Sequence, residues 1–238
     1  MNRTNKVFSI TFRKMVFDKI LFYKSVRIGL PTGFQQTFVA MGMAAVMGIV
    51  NGFGTDVIAA YTAAGRIDAL ASMPAMNFGA ALSVFVGQNL GANRADRVRK
   101  GLMSTIFMAG LVSVLVSIVV WFFGAQLMRM FTTEPEVINV GVRYLVIVSS
   151  FYILFSTMFC YTGLLRGAGA TLIPMFITLF SLWIIRIPLA YFLSDKLGSD
   201  GIWWAIPIAW LCGMIGSYIY YKTGNWKKGI VVAEHERF

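Results

Sequence analysis

Val86 to Gly101 reads VGQNLGANRADRVRKG. Ahead of it runs an apolar stretch from Val57 to Leu90 in which Arg66 and Asp68 are the charged residues, and it closes on glycine steps followed by Arg94, Arg97, Arg99 and Lys100. An apolar run that ends in a cluster of cations is the pattern of a membrane span meeting the anionic cytoplasmic leaflet.

The composition agrees with it. The chain has 238 residues, of which 58% are hydrophobic and 13% charged, and its mean hydropathy is +0.71, too apolar for the surface of a soluble domain. A net charge of +11 would also suit a nucleic-acid binder, but the basic residues fall in short segments between apolar runs and line no polar face, so no nucleic-acid partner is expected. Cys160 and Cys212 lie inside apolar runs with no histidine or second cysteine at ligand spacing, which points to packing and away from a disulfide or a metal site. Arg13, Lys14, Asp18 and Lys19 interrupt the opening segment, so a cleavable signal is not expected there.

A hydrocarbon core about 30 Å thick needs about 20 residues of helix. Six runs qualify: Ile28 to Val50, Val57 to Leu90, Leu102 to Phe123, Val137 to Leu165, Leu172 to Phe192, and Gly201 to Tyr221. The expected fold is therefore all-α, a polytopic membrane protein built as a six-helix bundle over 28–222, with a basic segment at 1–27 and a tail at 223–238. The joins alternate in charge. Seven Lys or Arg precede the first run, four sit in the second join, Arg166 in the fourth and Lys222, Lys227, Lys228 and Arg237 in the tail, against Arg129, Arg143 and Lys196 on the other side. The positive-inside rule then places both termini in the cytoplasm. The opening segment mixes Val7, Ile10, Met15, Phe17, Ile20 and Leu21 with its cations, as an amphipathic surface helix does; an ordinary basic linker is the alternative. The second run is longer than a bilayer needs and holds Gly65, Pro74, Gly79, Gly87 and Gly91, so it is expected to tilt, bend near Pro74 and pack closely through its small residues.

Charges inside a span cost roughly 2.5–3.5 kcal/mol each at the bilayer centre. Arg66 and Asp68 are two residues apart, about 200° around a helix axis, so they cannot neutralise one another on one face and each needs a partner elsewhere. They sit roughly 15 Å along the second span; a coupling or gating site and an inter-helix lock both account for them. Arg186 lies near the outer end of the fifth run and is expected to snorkel outward. No catalytic constellation is present: His235 is a lone tail histidine, GQNLG lacks the spacing and lysine of a phosphate loop, and Glu134 and Glu136 have no partner acid. Neither catalysis nor a bound cofactor or metal is expected.

At this point a resemblance enters. VGQNLGANRADRVRKG, preceded by AAYTAAGRIDALASMPAMNFGAAL, resembles the eighth-helix signature of multidrug and toxic compound extrusion (MATE) transporters. IGLPTGFQQ (Ile28 to Gln36) resembles that family's seventh-helix entry, GLLRGAGATLIPM (Gly163 to Met175) its tenth-to-eleventh join and WIIRIPLAYFL (Trp183 to Leu193) its eleventh helix. The resemblance covers nearly the whole chain in order, but only the C-terminal half of a family member, helices 7 to 12. It implies one six-helix lobe of a two-lobed efflux transporter, partnered by a second lobe, exporting drug-like, often cationic compounds in exchange for H⁺ or Na⁺. A split gene, a truncated frame and a half-transporter that pairs with another chain all fit that description. A lipid-linked or oligosaccharide flippase of the same superfamily, or a non-transporting fragment or scaffold, are the rival readings.

Family members with a coupling carboxylate in this lobe place it in the seventh and tenth helices, and the matching positions are Val39 and Phe155, neither of which binds a cation. The resemblance then points to the subgroup whose acidic residue lies in the absent lobe. A poly-specific cavity calls for adaptable apolar side chains and a few amides; Gln35, Gln36, Met73, Asn77, Phe155, Met158 and Tyr161 are the candidates. The amides stand out, because an unpaired amide in hydrocarbon costs several kcal/mol.

Overall fold

A backbone in hydrocarbon must pair its own N–H and C=O groups, and a helix does so within one segment. The computed structural model describes residues 17–227, and every element among them is helical. The spans are α1 (Lys19–Val50), α2 (Thr55–Gly91), α3 (Ala95–Arg129), the pair α4 (Pro135–Ser149) and α5 (Tyr152–Gly167), the pair α6 (Leu172–Leu179) and α7 (Ile187–Leu197) joined through a π-helical segment at Phe180–Arg186, and α8 (Ser199–Thr223). Five of these are long and apolar enough to cross a bilayer unaided; α4 and α5, bent 51° apart, make a sixth when taken together. α1 takes in residues 19–27 of the expected N-terminal segment, whose first 16 residues, like 228–238 of the tail, lie outside the described residues.

α2 runs through Pro74 as one helix, while the fourth span breaks between Ser149 and Tyr152, where there is neither proline nor glycine. α3 braces the break: the Ser117 hydroxyl donates to the Ser149 carbonyl at 2.6 Å and the Trp121 indole N–H to the Ser150 side-chain hydroxyl at 3.2 Å. Side-chain donors of this kind are what make broken helices tolerable at membrane depth. The π-helical segment stops two residues before Pro188, whose missing N–H interrupts the regular ladder.

Small residues set the tightest packing. A Cβ on Gly79 would lie 2.7 Å from the Phe159 carbonyl oxygen, and Cβ atoms on Gly163 and Gly167 would collide with the backbones of Gly79 and Ser83. α2 and α5 thus touch main chain to main chain along one face, the close approach that small-residue spacing permits. Gly65 and Gly91, also singled out for packing, have open space in the Cβ direction.

Two buried clusters divide the bundle by height. One gathers Leu90, Val98, Leu102, Leu164, Leu165, Ala168 and Trp226 beside the basic joins. The other gathers Val50, Ala60, Met128, Val137, Tyr144, Tyr152, Ile202 and Trp203 at the opposite end. In the second, Trp203 is fully buried, stacked on Tyr61 at 5.4 Å and meeting the edge of Tyr144 at 5.0 Å. At the basic end the GAN turn closes on Asn93 with φ 56°, a left-handed conformation asparagine tolerates, and Arg94 pairs with Asp96 in the first turn of α3 at 3.3 Å.

Candidate intramembrane charge site

Asp68 is the acidic residue that lies in the interior of a described helix; the other described acids sit at or beside helix ends. Helical periodicity turns it into the bundle and leaves Arg66, two residues earlier, exposed. There the Tyr152 hydroxyl donates to Asp68 Oδ1 at 2.7 Å and the Tyr144 hydroxyl to Oδ2 at 3.4 Å. These tyrosines stand on the two arms of the broken span, Tyr144 near the end of α4 and Tyr152 at the first residue of α5. One carboxylate therefore clasps both sides of the break from within, while Ser117 and Trp121 hold its outer side.

A hydrogen bond to a charged group contributes about 1.5–3 kcal/mol, so two of them roughly offset the 2.5–3.5 kcal/mol that a mid-membrane carboxylate costs. Arg186, at the end of the π-helical segment, interacts with Asp68 electrostatically without closing to ion-pair distance. Its Nε is buried with no hydrogen-bond partner. The expectation that Arg186 would snorkel outward is thus corrected: its guanidinium turns into the protein, where the nearby carboxylate attracts it.

Gln35 does not face an open cavity either. It is buried in α1, where its Nε2 donates to Thr178 Oγ1 at 2.6 Å and its Oε1 accepts from Arg166 Nη2 at 2.8 Å. The amide ties α1 to α5 and α6, and its hydrogen-bonding capacity is spent on that tie. Tyr161, another sequence-predicted cavity residue, is buried in the basic-end cluster against Tyr218 and Tyr221, with ring centroids 5.7 and 5.6 Å away. Phe155 packs on Phe159 and Trp210 at 4.5 and 4.8 Å, and Met158 fills the space over Gly213. Gln36, Met73 and Asn77 are exposed, the last two one helical turn apart on α2.

Among the described residues one surface groove runs along α1 from Phe22 to Thr37, and another lies beside the helix break, lined by Ser117, Trp121 and Ser150 among others. Neither is lined by any of the seven cavity candidates. Sequence reasoning missed Tyr144 and Tyr152, whose phenols are 76 and 84 residues from Asp68 along the chain. Their depth within apolar runs was the one available signal, since a tyrosine hydroxyl in hydrocarbon needs a partner. Among the described residues no group of three or more His, Cys, Asp or Glu side chains could hold a metal ion.

The MatE family model matches residues 31–192. The chain is 32% identical over 202 residues to the probable multidrug resistance protein YpnP of Bacillus subtilis, covering 85% of this chain and 45% of that protein. It is 30% identical over 218 residues to the probable multidrug resistance protein YoeA of the same organism, covering 91% and 47%. Among solved structures, the outward-facing conformation of a multidrug resistance MATE family transporter of the MOP superfamily superposes with a TM-score of 0.86 at 19% identity, over 95% of this chain and 52% of the other. The chain thus spans about half the length of the relatives it matches.

Proposed function

The chain belongs to the MatE family, and from that premise we propose that it forms one lobe of a membrane efflux transporter. The six spans make one wall of a central cavity, and a second six-helix lobe, supplied by another chain or a second copy, makes the other. Rocking of the two walls exposes the cavity alternately to each side of the membrane. The cargo is a range of amphipathic, often cationic drug-like compounds, exchanged for H⁺ or Na⁺. The positive-inside rule puts the basic end, with both chain ends, in the cytoplasm of a bacterial plasma membrane.

The observation that carries this reading is the extent of the likeness: 85% of the chain aligns, at 32% identity, with less than half of a protein named for multidrug resistance. The exposed Gln36, Met73 and Asn77 support it, since flexible thioethers and amides on an open wall suit cargo of varied shape. Drug-resistance assays in an efflux-deficient host, with the chain expressed alone and together with a six-helix N-terminal lobe, test it. Resistance is expected in whichever arrangement yields a two-lobed particle by mass in detergent. A particle of two lobes that confers no resistance and moves no drug in vesicles overturns it.

A further inference from the structure

The break in the fourth span is held from opposite sides by different chemistry, and only one of the two can change state. On the α3 side, Ser117 and Trp121 donate to Ser149 and Ser150; neither donor titrates in the physiological range. On the α2 side, both arms hang from one carboxylate through Tyr144 and Tyr152. We propose that Asp68 is a proton-binding site whose occupancy loosens its clasp on α4 and α5, making the break a proton-operated hinge within this lobe. The proposal rests on the transport reading for its purpose and on the hinge geometry for its mechanism.

The chemistry is a single proton transfer. A proton from water forms an O–H bond at one Asp68 oxygen, no bond of the protein breaks, and the carboxylate–guanidinium pair goes from neutral to singly positive. The new carboxylic acid is a weaker acceptor than the carboxylate, so both phenol hydrogen bonds weaken together. Arg186, left near an uncharged acid and with its Nε already lacking a partner, loses the attraction that keeps it turned inward. Asp68 is only partly buried in this lobe.

The groups that face Asp68 are few. α4 supplies Tyr144, α5 supplies Tyr152, and the π-helical segment supplies Arg186. α2 itself adds Tyr61, whose ring meets Tyr144 edge-on, while Arg66 is exposed on another face. α8 contributes Trp203 and Trp210 against the two tyrosines, and neither titrates. The neighbouring Arg143 and Asp200 pair with each other at 3.4 Å. Asp68 is thus the one member of the group able to gain a proton and lose a negative charge without the ionisation of a phenol or a guanidinium.

Infrared difference spectra of the full chain in lipid nanodiscs, taken between about pH 9 and about pH 5, read the site directly. A protonated-carboxyl C=O band is expected in the wild type and absent in Asp68→Asn. Amide hydrogen exchange at residues 149–152, corrected for the intrinsic pH dependence, should rise about tenfold on acidification in the wild type, the equivalent of one charge-assisted hydrogen bond, and be high at both pH values in Asp68→Asn. A band that survives in Asp68→Asn, or exchange at the break that ignores pH, overturns the proposal. Should Asp68→Asn fail to fold, Tyr152→Phe decides, because it keeps the carboxyl: a shifted band and a looser break support the hinge, and an unchanged band and break overturn it. Export by a chain whose Asp68 is spectroscopically silent sinks the hinge alone; intact titration in a chain that exports nothing sinks the transport reading alone.

Discussion

The two ends of the bundle each hold a half-buried charge with neutral partners, and they do so to different effect. At the basic end Arg166 is answered by the Gln35 amide, which also binds Thr178, so three helices are fastened through one side chain. At the opposite end Asp68 is answered by two phenols across a helix break, with Arg186 near but not bonded. A guanidinium keeps its charge under all ordinary conditions, whereas a carboxylate can lose its charge. The first arrangement is accordingly a permanent fastening. The second, on the proposal above, is one that a proton can undo.

The largest effect expected from breaking this comparison lies in the packing behind the acidic site. Trp203→Ala removes a fully buried indole stacked on Tyr61 and meeting Tyr144 edge-on and should cost about 3–5 kcal/mol, read as a lowered midpoint in SDS-titrated unfolding from mixed micelles. Trp203→Phe should recover much of that loss.

Close behind comes the α2–α5 seam that joins the two ends. Gly163→Val drives a branched side chain into the Gly79 backbone and should cost roughly 3 kcal/mol, the upper part of the usual overpacking range, with loss of the monodisperse peak on size-exclusion chromatography. Gly65→Ala, on the helix that carries Gly79 but facing open space, should change stability by less than about 0.5 kcal/mol.

Gln35→Leu sharpens the comparison from the basic end. It leaves Arg166 without its amide partner and should cost about 1–3 kcal/mol, together with faster protease cleavage near the start of α1. Gln35→Glu, which offers the guanidinium a carboxylate, should lose less. The smallest effect belongs to the Arg143–Asp200 pair, 3.4 Å apart, with side chains 54% and 32% exposed. Arg143→Ala there should cost no more than about 1 kcal/mol, and the difference from wild type should fade when unfolding is repeated in high salt.

Much of the fold is legible in the chain because hydropathy acts through local composition. The six runs match the six spans, and small residues announce the seam at Gly79 and Gly163, although Gly65 and Gly91 in the same run take no part in it. The break after Ser149 has no such signature. The sequence there, IVSSFYI, holds neither proline nor glycine, and the groups that brace the break lie on another helix, where Ser117 donates to the Ser149 carbonyl and Trp121 to Ser150 Oγ. The site is legible only in part for the same reason. Periodicity shows that Arg66 and Asp68 diverge, but not that Asp68 meets two phenols, that Arg186 turns inward, or that Gln35 is consumed in a fastening.

Sequence by itself settled how many times this chain can cross a bilayer and which joins carry the cations, because transfer from water to hydrocarbon is summed residue by residue along a continuous helix. Tertiary structure alone decided which neutral groups hold Asp68 and Arg166 and where the fourth span bends. Those outcomes depend on distances between side chains that stand 76 to 143 residues apart, and hydrogen-bond energies fall away within a fraction of an ångström, a scale on which position along the chain carries no information.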